Sequence, residues 1–425
     1  MKAEATADTT GPHRANSKAP KVRLFFFLLL LLAIAFRVCA QNKPTVATPA
    51  SSSKLPVYEL RMEPRDLGKL DADPRSNETH PATFIAEGVT YEKVRVRYRG
   101  DWARSWPKKP LKIFFNDDKP FQGHHSLNLN SAWRDASFLR ETLAYQVYNT
   151  CGMPAPQSRV VRLDLNGQFR GLYVEVEQVD KTFLKRVHFK GAALYKAHSS
   201  ENWADERDLG RLASYTNHYE PETQKNETHA DLQQFCYALS RSTNALEFFT
   251  NHVDVEKYIN FLAATAFVQN WDCFNKNHYL LHDIKGSKKW VVVPWDLDRT
   301  FGDIWFGRAI GAELPILQGT KSFPGPTGWN RMMEKFFSDP TLRARFAKRL
   351  RQLLDTELTT EKLFPVLDRF EAEAKVEAAQ DRQRWRGSPL SLQKGMEQLK
   401  NYIERRRNFL VKDLENLQGK AAAAK

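Results

Sequence analysis

The stretch NWDCFNKN, Asn270 to Asn277, is followed by VVVPWDLDRTFGD, Val291 to Asp303. Asp272 and Asn277 stand as D-x-x-x-x-N, and Asp296 and Asp298 lie two apart, all within apolar and aromatic chain. Acids and an amide in such surroundings can do two kinds of chemistry. A carboxylate can accept or orient the proton of an attacking hydroxyl. Asp and Asn oxygens also suit a hard divalent cation, magnesium or manganese, which would neutralise a polyphosphate. In extended chain Asp296 and Asp298 face the same way, so Asp298 can serve as a second ligand. It can equally pair with Arg299. The plain alternative is that these acids cap a turn and a strand end, and for any single one that alternative is the stronger.

The surrounding elements strengthen the chemical reading. Asp254 is placed to cap the apolar helix VEKYINFLAATAFVQN, which runs directly into WDCFNKN. HYLLHD and WVVVPW then read as a hairpin split by IKGSKK, with Asp296 at the end of its far strand. Protein kinases arrange a helix, a catalytic loop, a hairpin and a metal-binding Asp in that order. A phosphate grip belongs upstream. YEKVRVRYRG alternates as a half-exposed strand ending at Gly100, the loop DWARSWPKK follows, and PLKIFF is a second strand. Lys109 and Lys112 are the candidates to meet phosphates. Lys109 would share the face of Leu111 and Ile113, Lys112 faces the other way, and periodicity leaves the choice between them open.

Further along, SFLRETLAYQVYNTCG is a helix with a glycine stop, and SRVVRLDLNGQFRGLYVEVEQVD holds two strands around Asn166-Gly167. Glu177 closes the second of these strands, where a two-lobed nucleotide enzyme would place its hinge. The Gln178 to Asp180 backbone could meet an adenine edge there; otherwise Glu177 sits in an ordinary ion pair. Residues 55–63 alternate weakly as a strand, 64–80 are turn-rich, 197–230 read as an irregular insertion and 340–418 as a helical bundle.

Composition sets outer limits. The chain has 425 residues, enough for one large domain or two ordinary ones, and 27 Phe with 10 Trp supply an ample core. The net charge of +14 admits acidic partners, but Lys and Arg are spread along the chain without a nucleic-acid motif, so nucleic acid is not expected as a partner. Lys21 and Arg23 precede the apolar run Leu24 to Phe36, shorter than the ~20 residues of a bilayer span. Residues 1–40 therefore read as a secretory signal cleaved after Ala40, and 41–54 as a flexible linker. Membrane contact is expected only through that signal or its retention as an anchor, with the protein secreted or in the cell envelope. Cys151, Cys236 and Cys273 remain, with no zinc spacing and at most one disulfide. His198, His278 and His282 read as structural rather than ligating.

Taken together these segments resemble the CotH kinase family, secreted atypical kinases of the spore-coat type. The matching pieces are VRVRYRG with KKPLKIFF, LNLNSAWRDASFLRETLAYQVYNTCGMPAP, LNGQFRGLYVEVEQVDKTFL, ALYKAH, NWDCFNKNHYLLHD and VPWDLDRTFGD, in the family's order across residues 56–304. The resemblance implies an α+β, two-lobed atypical protein-kinase-like fold with a strand-rich N-lobe, a helical C-lobe and a C-terminal helical extension. It divides the chain into a kinase-like domain at 55–305 and a helical region at 306–425. It implies ATP with Mg2+ or Mn2+, phosphate transfer to a protein serine, Asp272 at the catalytic-loop position, and Asp296 with Asn277 at the metal. Lys109 falls on the family's leading lysine and Lys112 where arginine is tolerated. The glycine-rich loop of ordinary kinases is missing, with only Gly100 in its place.

Two other readings compete. A non-catalytic surface or coat-assembly binding protein would retain the fold, but it has no need of the intact acid set. A metal-dependent hydrolase built on Asp296, Asp298 and Asp303 ranks last, because the histidines do not cluster around those acids.

Overall fold

Alternating side chains build the first half of the fold. In chain order it comprises β1 (Val57–Arg61), α1 (Pro64–Ala72), β2 (His80–Ala86), β3 (Val89–Tyr98), β4 (Leu111–Phe114), β5 (Ser126–Asn130), α2 (Arg140–Thr150), β6 (Ser158–Leu165) and β7 (Gln168–Val176). The strands close into a barrel in the order β1-β2-β3-β4-β5-β7-β6, with β6 returning to β1 in parallel and every other pair antiparallel. The two-residue period sends Val94, Val96, Tyr98, Leu111, Ile113, Leu127 and Leu129 to the interior. The intervening residues therefore face outward. The register sets Arg97 opposite Lys112 and Lys112 opposite Asn128, a polar row across the outer face of three strands.

The second half follows as α3 (Lys181–Arg186), β8 (Ala193–Ala197), α4 (Leu212–Tyr215), β9 (Tyr219–Pro221), α5 (Ala230–Arg241), α6 (Ala245–His252), α7 (Val255–Val268), β10 (His278–His282) and β11 (Trp290–Pro294). It ends in α8 (Arg331–Ser338), α9 (Pro340–Thr356), α10 (Thr360–Trp385) and α11 (Leu392–Ala422). β11, β10, β8 and β9 form a second sheet in that order. One continuous apolar core joins this sheet, α2 and the C-terminal helices. The fold is thus α+β, strand-rich first and helical after.

The computed structural model describes residues 53–197, 203–223, 228–303, 311–314 and 330–422. The expected signal, most of the linker and His198 lie outside these residues. Among the described residues, no helix is long and apolar enough to cross a membrane.

Several elements match their sequence signals. Asp254 caps α7 by accepting from the Lys257 amide at 3.1 Å. The Asn166-Gly167 turn has both residues at positive φ, 50° and 75°, as a two-residue hairpin requires. Other elements do not. The turn-rich reading of 64–80 is corrected by α1, which starts with Pro64 at a position where its missing N–H costs nothing and buries only Leu70. The stretch read as irregular between 197 and 230 contributes α4 and the edge strand β9. The helical region begins earlier than residue 340, at Arg331.

Candidate active site

The acids sit where α7 and the β10–β11 hairpin meet. α7 ends at Gln269 in the left-handed conformation, φ 52°, which swings the chain into the Asp272 loop. Asn277 and Asp296 also have positive φ, 56° and 57°, one at the start and one just past the end of the hairpin. Asn and Asp tolerate that region better than most residues. The hairpin then brings the two turns together, with the Trp295 amide donating to the Asn277 carbonyl at 3.2 Å.

Asp272 is held from two sides. Asn277 Nδ2 donates to its Oδ2 at 2.8 Å, and Lys276 Nζ lies 3.2 Å from its Oδ1. Burial pushes the Asp272 carboxyl up to about 6; Lys276 opposes the rise and Asp296 adds to it. Asp298 is pushed up to about 7, first by the protein crowded around it and then by Asp296. Its side chain is still 41% exposed, so solvent screens part of that rise. Arg299 partly neutralises the group, pairing with Asp303 at 2.9 Å and lying 3.8 Å from Asp298.

A fourth acid stands with them. Glu141, in the first turn of α2, is buried, and its carboxyl is held well above the usual range by burial and then by Asp298 and Asp296. Asn130 Nδ2 donates to both Glu141 oxygens, at 2.8 and 3.0 Å, and Arg99 donates to Asn130 Oδ1. α2 also grips the Asp296 loop directly. The Asp296 amide donates to the Tyr145 hydroxyl at 3.1 Å, and Arg140 Nη1 donates to the carbonyls of Thr300 at 2.7 Å and Phe301 at 3.2 Å.

The outer row of the barrel supplies the opposite charge. Lys112 Nζ donates to Gln178 Oε1 at 2.8 Å. Its amine is lowered to about 8, by burial first and then by Arg99, with Arg97 and Lys196 also contributing and Glu222 opposing. Arg99 lies over the Trp295 ring at 5.8 Å and so joins this cationic row to the hairpin mouth. Beside it the buried Oδ1 of Asn128 and the hydroxyl of Tyr279 have no hydrogen-bond partner among the described residues. Such buried orphans are uncommon.

Sequence reasoning selected some of these residues and not others. Asp272, Asn277, Asp296 and Asp298 come together at one place. Lys112 lies on the row that leads to them. Lys109 does not: its Nζ rests 5.7 Å from the Tyr98 ring centroid, and Tyr98 belongs to the barrel interior. Gly100, at φ +84°, makes the turn out of β3, where an added Cβ would sit 3.4 Å from Ala103. Glu177 is taken by Arg186, which donates at 2.5 and 2.9 Å, and by the Gln157 amide at 2.9 Å. Its carboxylate thus sits in an ion pair with Arg186. His278 pairs with Glu206 at 2.8 Å and His282 with Asp231 at 2.7 Å. The three cysteines are free and buried. Glu141, Arg99 and Arg97 escaped notice, although the alternation of arginines along β3 was the available signal.

Asp272, Asn277, Asp296 and Asp298 are the residues here that could offer oxygen ligands to a divalent cation. Among the described residues no three His, Cys, Asp or Glu side chains form a ready metal cage. Magnesium usually takes one or two carboxylates and completes its shell with water and substrate phosphate. Carboxyls that raise one another's pKa are groups whose repulsion a bound cation would relieve.

These shifts carry a sign that can be measured. Asp272 and Asp298 have folded values of about 6 and 7, above the unfolded value, so they bind protons more tightly when folded. Their contribution to stability is present below about pH 4 and is lost as pH rises through about 6 to 7. Asp298→Asn is therefore expected to melt higher than the parent at neutral pH and to lose that advantage in acid. Melting curves across pH for the two proteins check this.

A strand barrel with a cationic outer row is joined to a helical half that presents acids at a hairpin mouth, in an α+β arrangement. The chain belongs to the CotH kinase protein family, whose profile matches residues 96–410. It is 29% identical over 321 residues to the inner spore coat protein H of Bacillus subtilis strain 168, covering 74% of this chain and 85% of that one. It is 22% identical over 303 residues to the inner spore coat protein H-like protein of the same organism, covering 71% and 84%. Among solved structures, the Helicobacter pylori proinflammatory kinase CtkA aligns over 74% of this chain and 94% of its own at 11% identity. Its TM-score of 0.29 is too low to bear on the fold.

Proposed function

We propose that the protein is an ATP- and divalent-metal-dependent phosphotransferase that acts on a protein serine, and that it works outside the cytoplasm, in a coat or envelope. The observation that carries this reading is the convergence of Asp272, Asn277, Asp296 and Asp298 at the end of the hairpin, with Glu141 behind them and the Arg97–Lys112–Arg99 row alongside. The name of the Bacillus relative, a spore coat protein, supports the location.

Each side chain has work to do. Asp272, oriented by Asn277 and Lys276, accepts or orients the proton of the acceptor hydroxyl. Asp296 and Asn277 would hold Mg2+ or Mn2+, with Asp298 as a further ligand, and the ion would neutralise charge on the phosphates. Lys112, Arg99 and Arg97 hold the phosphate chain, and a lysine lowered to about 8 among arginines gains most from an anion. Asn128 Oδ1, unpartnered next to Gln178, is an acceptor for a base or ribose donor.

The test is transfer of labelled phosphate from ATP, with Mn2+ present, to serine-containing protein. No transfer to any acceptor, the protein itself included, contradicts the proposal. The lysines give a sharper comparison. Lys112→Met is expected to lower kcat/KM for ATP by about 10- to 100-fold, the loss of a charge-assisted contact. Lys109→Met should stay within about twofold, as a substitution away from the site. Steady-state kinetics on the two variants checks the assignment, and equal losses would contradict it.

A further inference from the structure

A cavity of about 590 Å³ lies on the barrel flank of α2, lined by Tyr145 but by none of Asp272, Asn277, Asp296, Asp298 and Glu141. Its walls come from the β4–β5 approach, α2, the start of β6 and the ends of β7 and α3, and the size is that of a small-molecule site. Its charged residues neutralise one another before any ligand arrives. Arg159 donates to Glu175 at 2.9 Å, and Arg186 donates to Glu177 at 2.5 and 2.9 Å. A charged ligand would therefore gain little there.

What is left over is neutral hydrogen-bonding capacity. The buried Nδ1 of His124, one of the lining residues, has no partner. Among the described residues both arginines use Nε and Nη2 on protein acceptors, which leaves Nη1 for a ligand. The Gln146 amide reaches the cavity from α2, and Phe121 with Leu127 supply an apolar floor. Amides, guanidinium edges and hydroxyls above an apolar surface match a ring that carries hydroxyl groups on its rim and C–H groups on its face.

We infer that this cavity binds a neutral saccharide of one or two rings. Its back wall is α2, the helix that carries Glu141 and whose Tyr145 hydroxyl accepts the Asp296 amide. Occupancy would accordingly brace the helix that holds the metal-side loop. The binding itself does not depend on the kinase reading, because no residue assigned to phosphate transfer supplies a contact.

The experiment is hydrogen exchange on the full chain with glucose, galactose, N-acetylglucosamine and maltose, each added separately, and with galacturonate and inorganic phosphate as anionic probes. At least one neutral sugar should slow exchange of the α2 amides, by about tenfold when present at ten times its Kd. Gln146→Trp, at an exposed helix position, fills the space and should abolish the protection. Gln146→Ala keeps the space and should weaken it. Protection by none of the neutral sugars, protection by the anions alone, or protection that survives in Gln146→Trp would each overturn the inference.

Discussion

Asp296→Asn is expected to give a folded protein that has lost phosphate transfer. On the proposed reading the loss weakens the hold on the ion that would stabilise charge on the phosphates, and losing one such electrostatic stabiliser costs about 10²- to 10³-fold in rate. The backbone should tolerate the change, since Asp296 sits at φ 57° and Asn is at home there. Stability should move the other way. Asp296 raises the carboxyl values of both Asp298 and Glu141, so the unliganded site carries repulsion that the amide relieves. At about neutral pH the variant should melt no lower than the parent. A functional site is where a protein keeps groups that oppose its own stability. Labelled-phosphate transfer and a melting curve on the same sample separate the two possibilities. If activity and stability fall together, Asp296 is a structural cap at the strand end.

Arg406→Met is the second large effect, and it falls on stability. Arg406, on α11, is fully buried, and among the described residues its hydrogen bonds go to backbone carbonyls. Its Nε and Nη2 donate to the Ala266 carbonyl at 2.9 and 2.7 Å, and its Nη1 donates to Ala312 at 2.8 Å and Leu314 at 2.5 Å. Ala266 lies in the last turn of α7, whose carbonyls have no partner within the helix. From the same face of α11, Tyr402 donates to Phe267 at 2.8 Å. The C-terminal helix thus fixes the end of α7 from which the Asp272 loop departs. Methionine keeps most of the volume but strands these acceptors, at an expected cost of about 3 kcal/mol or more. Arg405→Met, which breaks an exposed pair with Glu313, should cost no more than about 0.5 kcal/mol. Denaturant unfolding of the pair checks the contrast, and equal costs would contradict it.

Arg406 also shows what was hidden in the sequence. The local signals were legible. A two-residue Asn-Gly turn, a capped apolar helix and two β-rich runs around a polar loop each carry their geometry in neighbouring residues, and they placed Asp272, Asn277, Asp296 and Asp298 together. The closure of β6 onto β1 is a pairing between distant segments and leaves no local pattern. α1 was missed because Leu70 is its one buried residue. Lys109 and Lys112 could not be told apart because the answer lies in the register of β4 against Arg97 and Asn128. Glu141 resembles any acid in the first turn of a helix until the hairpin acids are placed beside it. Lys108, next to the candidate Lys109, carried no signal of its own in the sequence. It is in fact fully buried, 2.5 Å from Asp381 of α10, tying the barrel to the C-terminal helices.

The most direct measurement is calorimetric titration of the full chain with a non-hydrolysable ATP analogue, with and without Mn2+, on the parent and on Asp296→Asn. The expected result is binding by the parent that depends on Mn2+, is lost on chelation, and is strongly weakened in the variant. Nucleotide binding of equal strength with and without the ion, or unchanged in Asp296→Asn, would contradict the assignment of these carboxylates to a metal–nucleotide site.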